Sequence, residues 1–337
     1  MKALYLPSLL LLVCAAPAFP DVAVNTPTNG AKVASLFLLY ATASPCSAQQ
    51  ISAMGYSFDN STATTFVYGT TINAEVSTPL LGTHVLHIKS WGNLGASCVT
   101  DVTLEVVVPP TASIPSTAAV TKSIQTMTTW QAITDIATGS GTSVGTMSLV
   151  SLRSLSGAAR QFVTNYTNSA GERYWVQFGS DSRPRHFLYD GWVDLASPSS
   201  GIANLEFDLN QVMWNGDTVI YGFQCDGSTN TWDYTTNAGS PLKYDDQWLH
   251  STAYCNPRQW ITDVWHHVQI AYTRDGQGHV TYQSVWLDGV EQDINETVPS
   301  AFALNWGPAL LTNFQVDGLG GYGSTTAYLD DLTVYRW

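Results

Sequence analysis

The sequence predicts an all-β fold made of two β-sandwich domains. Short runs of alternating apolar and polar residues recur along the chain, and this period of two is typical of strands that are buried on one face. Helical periodicity is nearly absent, apart from one predicted helical turn around residues 128–136. Charged residues make up only 12% of the chain, whereas glycine and aromatic residues are abundant. This composition is typical of exported β-proteins.

The first residues are predicted to be a secretory signal peptide, spanning residues 1–18. Lys2 supplies a positive charge, residues 9–13 form a short apolar core, and Ala16-Pro17-Ala18 fits a small-x-small cleavage site. A lipid anchor at Cys14 is the weaker alternative, because the bulky Val13 precedes it. We therefore expect a secreted protein, either extracellular or periplasmic.

Residues 19–108 are predicted to form the first sandwich. Their opening, Asn25-Thr26-Pro27-Thr28-Asn29-Gly30-Ala31, resembles the start of bacterial immunoglobulin-like domains, and residues 82–88 resemble the penultimate strand of such domains. The resemblance implies a spacer or an adhesive stalk, and we assign no chemistry to this domain. About seven strands are expected, which is the usual count for an immunoglobulin-like sandwich: residues 22–25, 33–42, 51–58, 64–68, 72–76, 84–91 and 99–108.

A Pro/Ser/Thr-rich linker at residues 109–122 is predicted to precede the second domain, residues 123–337. The second domain holds every tryptophan of the chain except Trp91. Its many strands and long loops predict two packed antiparallel sheets. The predicted strands are residues 174–178, 187–193, 202–209, 219–225, 265–272, 280–287, 310–316 and 328–335.

Four cysteines remain after the signal peptide, which suggests two disulfides in an exported chain. They fall into two well-separated groups, so we predict the pairs Cys46–Cys98 and Cys225–Cys255 among the three connectivities. No Cys/His spacing indicates a zinc site.

The acidic balance of the chain excludes several partners. The formal net charge is −13, and no basic cluster is present. Nucleic acid and anionic membrane surfaces are therefore not expected as partners. No apolar run is long enough to insert into a membrane. The oligomeric state stays open.

The stretch Asn204-Leu205-Glu206-Phe207-Asp208-Leu209-Asn210 is the most informative part of the sequence. In a strand its three apolar residues point into a core, while Asn204, Glu206, Asp208 and Asn210 line the other face. Successive acids on that face lie about 7 Å apart. Acids and amides in a row can bind sugar hydroxyls, hold a divalent cation or cleave a glycosidic bond.

Several strands of the second domain together resemble the concanavalin A-like lectin/glucanase superfamily. Residues 265–272, a turn at Asp275–Gly278 and then Val285-Trp286-Leu287-Asp288-Gly289 are similar to a hairpin of laminin-G-type jelly rolls. Residues 328–335 resemble the closing strand of those jelly rolls. The resemblance implies a jelly-roll sandwich over most of residues 125–337.

Within that superfamily the stretch around Glu206 has two interpretations. Retaining β-glucanases carry a Glu nucleophile, an Asp modulator and a Glu acid/base in the same strand. Glu206 and Asp208 match the first two, but Asn210 and Gln211 occupy the positions of the acid/base, and a neutral amide cannot supply a proton. Legume lectins carry Glu-Phe-Asp before a metal-binding Asn, a pattern that the sequence also matches in part.

We expect the acids to face an open, solvent-filled concave face of the jelly roll. Gln224, His267 and Gln269 are predicted to line the same face, with His267 as a second catalytic candidate beside Glu206 and Asp208. Aromatic walls are expected to pack against the C–H faces of sugar rings. The predicted ligand-binding residues are Asn204, Asn210, Gln224, Gln269, Trp192, Trp232 and Trp286.

The leading functional hypothesis is a secreted carbohydrate-binding protein that recognises an extracellular polysaccharide such as a β-glucan. No cofactor is required, although loop aspartates suggest a structural calcium ion. The alternative is an endo-β-glucanase-like glycoside hydrolase that uses Glu206 and Asp208 with an acid from Asp190, Asp194, Asp233 or His267. A third hypothesis is an adhesin whose sandwich binds protein partners.

Overall fold

The computed structural model describes residues 22–78, 80–135, 141–199 and 201–337. The predicted signal peptide lies outside the described residues. No α-helix occurs in the described ranges, where three short 3-10 turns at Pro110–Ser113, Ile124–Thr126 and Pro257–Gln259 accompany the strands. The predicted all-β fold class is confirmed.

The chain divides into two compact units, neither of which is continuous in sequence. The smaller comprises Met1–Gly30 (described from residue 22 onward), Leu39–Glu75 and Thr83–Leu104. The larger comprises Ala31–Leu38, Val76–Gly82 and Glu105–Trp337. The domain boundaries at residues 19–108, 109–122 and 123–337 stay a prediction.

The first eight strands follow the predicted runs closely. Strand β1 pairs with β3, and β4 pairs with β5 and β7, all antiparallel. The predicted disulfide Cys46–Cys98 is confirmed, with the two Cα atoms 5.9 Å apart. The immunoglobulin-like assignment stays a prediction. The strands are β1 Val22–Thr26, β2 Ala31–Val33, β3 Leu36–Ala43, β4 Ile51–Phe58, β5 Thr65–Tyr68, β6 Thr71–Ser77, β7 Gly82–Gly92 and β8 Ser97–Val106.

The rest of the chain adds strands β9 to β25 to the larger unit. Their bounds are β9 Ala119–Thr121, β10 Gln131–Asp135, β11 Ser143–Val150, β12 Ala159–Thr167, β13 Gly171–Gly179, β14 His186–Leu195, β15 Ile202–Val212, β16 Thr218–Tyr221, β17 Phe223–Asp226, β18 Thr231–Asn237, β19 Asp246–Tyr254, β20 Trp265–Arg274, β21 His279–Leu287, β22 Val290–Pro299, β23 Ala301–Phe302, β24 Ala309–Gly318 and β25 Tyr322–Arg336.

Two antiparallel sheets of these strands pack face to face. The front sheet has the order β10-β13-β24-β15-β17-β18-β19, and the back sheet contains the order β11-β12-β25-β14-β20-β21-β22. Aromatic side chains from both sheets meet in the core between them. Phe162 of the back sheet stacks on Phe314 of the front sheet with ring centroids 5.0 Å apart. Tyr189 of the back sheet meets Phe207 of the front sheet edge to face at 6.0 Å.

Residues 131–135 correct the predicted helical turn around residues 128–136. They form strand β10, which pairs antiparallel with β13 along its whole length. The backbone groups of β10 complete the hydrogen bonds along β13, and this pairing outweighs the weak local periodicity. Residue 136 lies outside the described residues.

The second predicted disulfide is also confirmed. Cys225 and Cys255 form the second disulfide, with a Cα–Cα distance of 5.2 Å. No helix in the described ranges has the length and apolar character needed to cross a membrane.

Asp330 is a buried carboxylate that ties distant segments to the last strand. It accepts hydrogen bonds from the Ser154 hydroxyl at 2.7 Å, from the Ser156 backbone N–H at 3.1 Å and from Gln125 Nε2 at 3.1 Å. Burial opposes ionisation of Asp330, but these bonds outweigh it and lower the pKa of the carboxyl. These contacts give Asp330 a structural role.

Replacing Asp330 by Asn should lower the free energy of unfolding by about 2 kcal/mol at pH 7, because buried donors lose a charged acceptor. A lowered folded-state pKa means that the stabilisation is present above the unfolded-state pKa and is lost as the pH falls through the folded value. The difference from wild type should therefore shrink below about pH 4. Urea unfolding at a series of pH values measures this difference in the free energy of unfolding.

The neighbouring, exposed Asp331 provides the matched control. Asp331→Asn should change the free energy of unfolding by less than about 0.5 kcal/mol. Equal losses in both variants would contradict the structural role given to Asp330.

Candidate functional site

Strand β15 has the two-faced character that its sequence predicts. Leu205, Phe207 and Leu209 are fully buried in the core. Glu206 and Asp208 therefore point to the opposite side of the front sheet, away from the back sheet. We call this side the polar face, and its residues are defined by the register of the neighbouring strands.

The polar face consists of in-register rows of polar side chains. One row crosses six adjacent strands, and the row beside it contains Trp175, Asn313 and Asp208 in register on β13, β24 and β15. At the other end of this second row, Thr235 of β18 lies opposite Trp248 of β19. The members of the first row are Arg173, Gln315, Glu206, Gln224, Asp233 and His250.

Hydrogen bonds connect the carboxylates of the polar face. Gln315 Nε2 donates to Glu206 Oε1 at 2.7 Å and to Asp317 Oδ1 at 3.1 Å. Asp317 also hydrogen-bonds with Glu206 directly. The Arg173 Nε–H donates to the side-chain oxygen Oε1 of Gln315 at 2.8 Å, and this contact fixes the orientation of the Gln315 side-chain amide.

Asp208 has its own partners. Its Oδ1 accepts from the backbone N–H of Phe223 at 3.1 Å, and its Oδ2 accepts from Asn313 Nδ2 at 3.4 Å. Arg173 forms an ion pair with Asp135. Within the described ranges, no ion pair involves Glu206 or Asp208.

Burial shifts the ionisation of all three carboxyls in the same direction. Desolvation raises the pKa of Glu206 well above its usual range, and the nearby charges of Asp208 and Asp317 add to this effect. It also raises the pKa of Asp317 to about 7 and that of Asp208 to about 6. The Arg173 charge opposes each shift. Because two carboxyls in contact cannot both ionise freely, Glu206 and Asp317 hold a proton between them near neutral pH.

The expectation that Glu206 and Asp208 face an open furrow is wrong. They are only 5% and 7% exposed, because side chains of the flanking strands close around them. Trp175, Trp248 and Arg173 are half-buried, and His250 is exposed. A ligand on the polar face would therefore contact these surrounding groups, while the acids lie at the base.

His267 and Gln269 do not lie on the polar face. Strand β20 belongs to the back sheet, and its alternate residues Val268 and Ile270 fill the core. His267 and Gln269 therefore point outward on the opposite side of the sandwich from Glu206. The predicted constellation of His267 with Glu206 and Asp208 is wrong, since a packed core separates them.

Trp192 shares the outward side of the back sheet with His267. The two rings stack with centroids 4.4 Å apart and an interplanar angle of 3°. His267 Nε2 hydrogen-bonds to Asp190 Oδ1 at 2.7 Å, and Gln269 Nε2 donates to Asp190 Oδ2 at 3.0 Å. Trp192 therefore does not form a wall of the polar face.

Two further predicted wall residues also lie elsewhere. Trp232 is fully buried and stacks on Phe223 at 5.2 Å, so it belongs to the core. Its side chain points inward because Trp232 pairs with the disulfide-bonded Cys225. Trp286 lies on the back sheet opposite Gln269. Of the remaining predicted ligand-binding residues, Asn204, Asn210 and Gln224 do lie on the polar face.

The proposed acids of a hydrolase are not arranged for retaining hydrolysis. Asp190 lies on the back sheet, and Asp194 is buried in an ion pair with Arg153. The carboxyl that does approach Glu206 is Asp317, and the two are hydrogen-bonded rather than separated by the roughly 5 Å that a glycosidic bond requires. Asp233 lies two strands away from Glu206 in the same row, so none of these acids has the arrangement expected for retaining hydrolysis.

Sequence reasoning missed three important residues of the polar face. Trp175 and Arg173 alternate with the core residue Tyr174, so the period of β13 could have identified them. Asp317 lies one residue beyond the predicted end of β24. Asp317 meets Glu206 only because β24 pairs with β15. About a hundred residues separate these two strands in the sequence.

Asp226, Asp233 and His250 could together hold a metal ion. Among the described residues they form the only cluster of three or more His, Cys, Asp or Glu side chains whose ligand atoms all lie within 4.8 Å of one another. His250 Nδ1 lies 2.9 Å from Asp233 Oδ2. Calcium prefers oxygen ligands, whereas an imidazole suits zinc and manganese accepts carboxylates, so two aspartates with a histidine fit a transition metal better than the predicted calcium.

Comparison with known proteins does not assign a family. No protein-family model matches the sequence, and no curated protein matches it. A solved structure of carbohydrate-binding modules from the β-sandwich superfamily is 12% identical, with a TM-score of 0.35 over 93% of this chain and 96% of that chain. The cellulose-induced protein Cip1 is 15% identical, with a TM-score of 0.36 over 60% of this chain and 96% of that chain.

The carbohydrate recognition domain of Emp47p is 10% identical, with a TM-score of 0.35 over 67% of this chain and 97% of that chain. Scores this low carry no argument about what this chain binds. The superfamily assignment stays a prediction, and the function has to be argued from the geometry of the polar face.

Asp317→Asn should flatten the pH dependence of stability. A carboxyl with a raised folded-state pKa stabilises the protein below the unfolded-state pKa, and this contribution is lost as the pH rises through the folded value. Between pH 4 and the folded value of about 7, the wild type should lose up to about 4 kcal/mol more stability than the variant. Thermal melting from pH 4 to pH 8 measures this.

The exposed Glu296 on the back sheet gives the control for this experiment. Glu296→Gln should follow the wild-type curve. If Asp317→Asn does so too, the shared proton in the Glu206–Asp317 pair is refuted.

Proposed function

We propose that this protein is a secreted carbohydrate-binding protein that holds a polysaccharide chain across the polar face. The observation that carries this proposal is the pair of half-buried tryptophans, Trp175 and Trp248, at the two ends of a polar row. Trp175 belongs to β13 and Trp248 to β19, with four strands of the front sheet between them.

Trp175 and Trp248 lie five strand-to-strand steps apart along the front sheet. Five strand-to-strand steps correspond to about 24 Å measured along the sheet. A chain that crosses the strands at right angles would meet an aromatic ring near each end and polar groups between them. Sugar rings present C–H faces to aromatic rings and hydroxyls to carboxylates and amides.

The charge of the polar face supports a neutral polysaccharide such as a β-glucan. The charges of Glu206, Asp208 and Asp135 act on Arg173, which is already paired with Asp135. A uronate or sulfated chain would meet a negative potential there. Two disulfides are typical of a protein that works outside the reducing cytosol, which supports secretion.

The double substitution Trp175→Ala/Trp248→Ala should abolish or strongly weaken polysaccharide binding. Loss of a stacking aromatic costs about 1–2 kcal/mol, which is about ten-fold or more in affinity. Affinity electrophoresis across neutral and acidic polysaccharides measures the effect, with neutral glycans expected to retard the wild type.

Trp192→Ala is the matched control, because Trp192 is a half-buried tryptophan on the back sheet. This variant should be retarded like the wild type. The proposal fails if no neutral polysaccharide retards the wild type, or if the folded double variant is retarded as strongly as Trp192→Ala.

We further propose a bound divalent metal ion at Asp226, Asp233 and His250, with calcium as the sequence expectation and manganese or zinc as the better match to the donors. A metal at 100 times its dissociation constant stabilises the folded state by about 2.7 kcal/mol. Added metal should raise the melting temperature of EDTA-treated wild type but not of Asp233→Asn. Identical melting with EDTA and with each of the three metals would refute this.

A further inference from the structure

A second recess lies on the other side of the larger unit, over the back sheet. It is a cavity of about 320 Å³, within the size range of small-molecule sites. Its floor includes Leu188, Ala271 and Trp286 of strands β14, β20 and β21, and Val108 and Pro110 form part of its wall. The apolar floor makes this recess different from the carboxylate-rich polar face.

A buried hydrogen-bond donor without a partner lies beside the cavity, in the side chain of Trp286. Trp286 is 2% exposed, and its indole N–H makes no hydrogen bond to any described residue. A buried donor that lacks an acceptor costs about 1–3 kcal/mol. Native proteins rarely keep such a group without a water, an ion or a ligand to satisfy it.

Acceptors lie next to this donor. Glu291 is directly opposite Trp286 on β22, and both Glu291 and Asp293 line the cavity. Lys32 Nζ of the larger unit binds Asp293 at 2.7 Å but is 3.9 Å from Glu291. Glu291 is therefore only weakly neutralised, and burial raises the pKa of its carboxyl.

The donors and acceptors of the cavity select one class of ligand. A protonated amine could approach Glu291, but it has no lone pair with which to accept a hydrogen bond from the Trp286 N–H. An anion could accept from that N–H, but it would face Glu291 and Asp293. A hydroxyl both accepts and donates, and a sugar ring adds an apolar C–H face for the floor of Leu188 and Ala271.

We propose that this cavity is a second carbohydrate site, independent of the polar face, that binds a single neutral sugar unit. A hydroxyl of the sugar accepts from the Trp286 N–H, and other hydroxyls donate to Glu291 and Asp293. The N–H is shielded from solvent in the free protein, so a small shift of the Trp286 side chain or of the wall accompanies binding. Each molecule would then hold two glycan segments, one on each side of the sandwich.

The test uses the full chain carrying Trp175→Ala/Trp248→Ala, so that the polar face does not contribute. Methyl glycosides of glucose, galactose and mannose are the probes, with glucuronate and glucosamine as charged comparisons. Saturation-transfer NMR and calorimetry measure binding, and at least one neutral glycoside should bind with a dissociation constant of about 1 mM.

Three substitutions locate the binding site. Ala271→Met fills the cavity and should abolish binding. Trp286→Phe removes the N–H together with part of the indole ring system and should weaken binding about five-fold. Glu291→Gln retains the size of the side chain and should also weaken binding. Trp306→Ala, at an exposed tryptophan outside the cavity, should leave binding unchanged, and the melting temperature of each variant reports folding.

Several results would overturn this proposal. These are no binding of any neutral glycoside, a preference for glucuronate or glucosamine, and binding that persists in folded Ala271→Met. The polar-face proposal is judged separately, by polysaccharide binding to protein with intact Trp175 and Trp248.

Discussion

The antiparallel register of six neighbouring strands in the front sheet is the constraint on which the rest of the larger unit depends. Because side chains alternate along each strand, the same register that places Phe207 and Phe314 in the core also places Glu206 and Gln315 beside each other outside it. A slip by one residue in β15 would exchange these two sets. The core and the polar face are therefore specified together.

The polar face concentrates negative charge at a cost in stability. Glu206 and Asp208 have only amide and backbone donors as direct partners, apart from the carboxyl of Asp317. Burying such groups without a paired cation is unfavourable, and retaining a proton between Glu206 and Asp317 reduces the penalty. Groups held at such a cost are typical of functional surfaces, which agrees with a binding role for this side of the sheet.

Much of the fold could be predicted from the sequence, because strands and disulfides have local signals. The alternation around Phe207 was sufficient to place Glu206 and Asp208 outside the core, and the cysteine grouping gave both disulfides. What the pattern could not provide was sheet membership. His267 and Glu206 both alternate with core residues, yet they belong to opposite sheets, and a period of two contains no information about which sheet a strand joins.

The candidate site was predictable only in part for a related reason. The partners Asp317 and Gln315 of Glu206 come from a strand about a hundred residues away, and the openness of the surface depends on side chains from several strands at once. Neither property follows from a local window. Trp232 is the exception, since it pairs with the disulfide-bonded Cys225 of the adjacent strand β17, only seven residues away in the sequence.

The position of β25 has a consequence for biogenesis. This last strand lies between β12 and β14 in the interior of the back sheet, and Asp330 within it receives hydrogen bonds from residues that precede it by about 175 to 205 positions. The two halves of that sheet cannot join until residues 322–336 have emerged from the ribosome. Until then, strand edges on both sides are exposed, and exposed edges make an incomplete chain prone to aggregation.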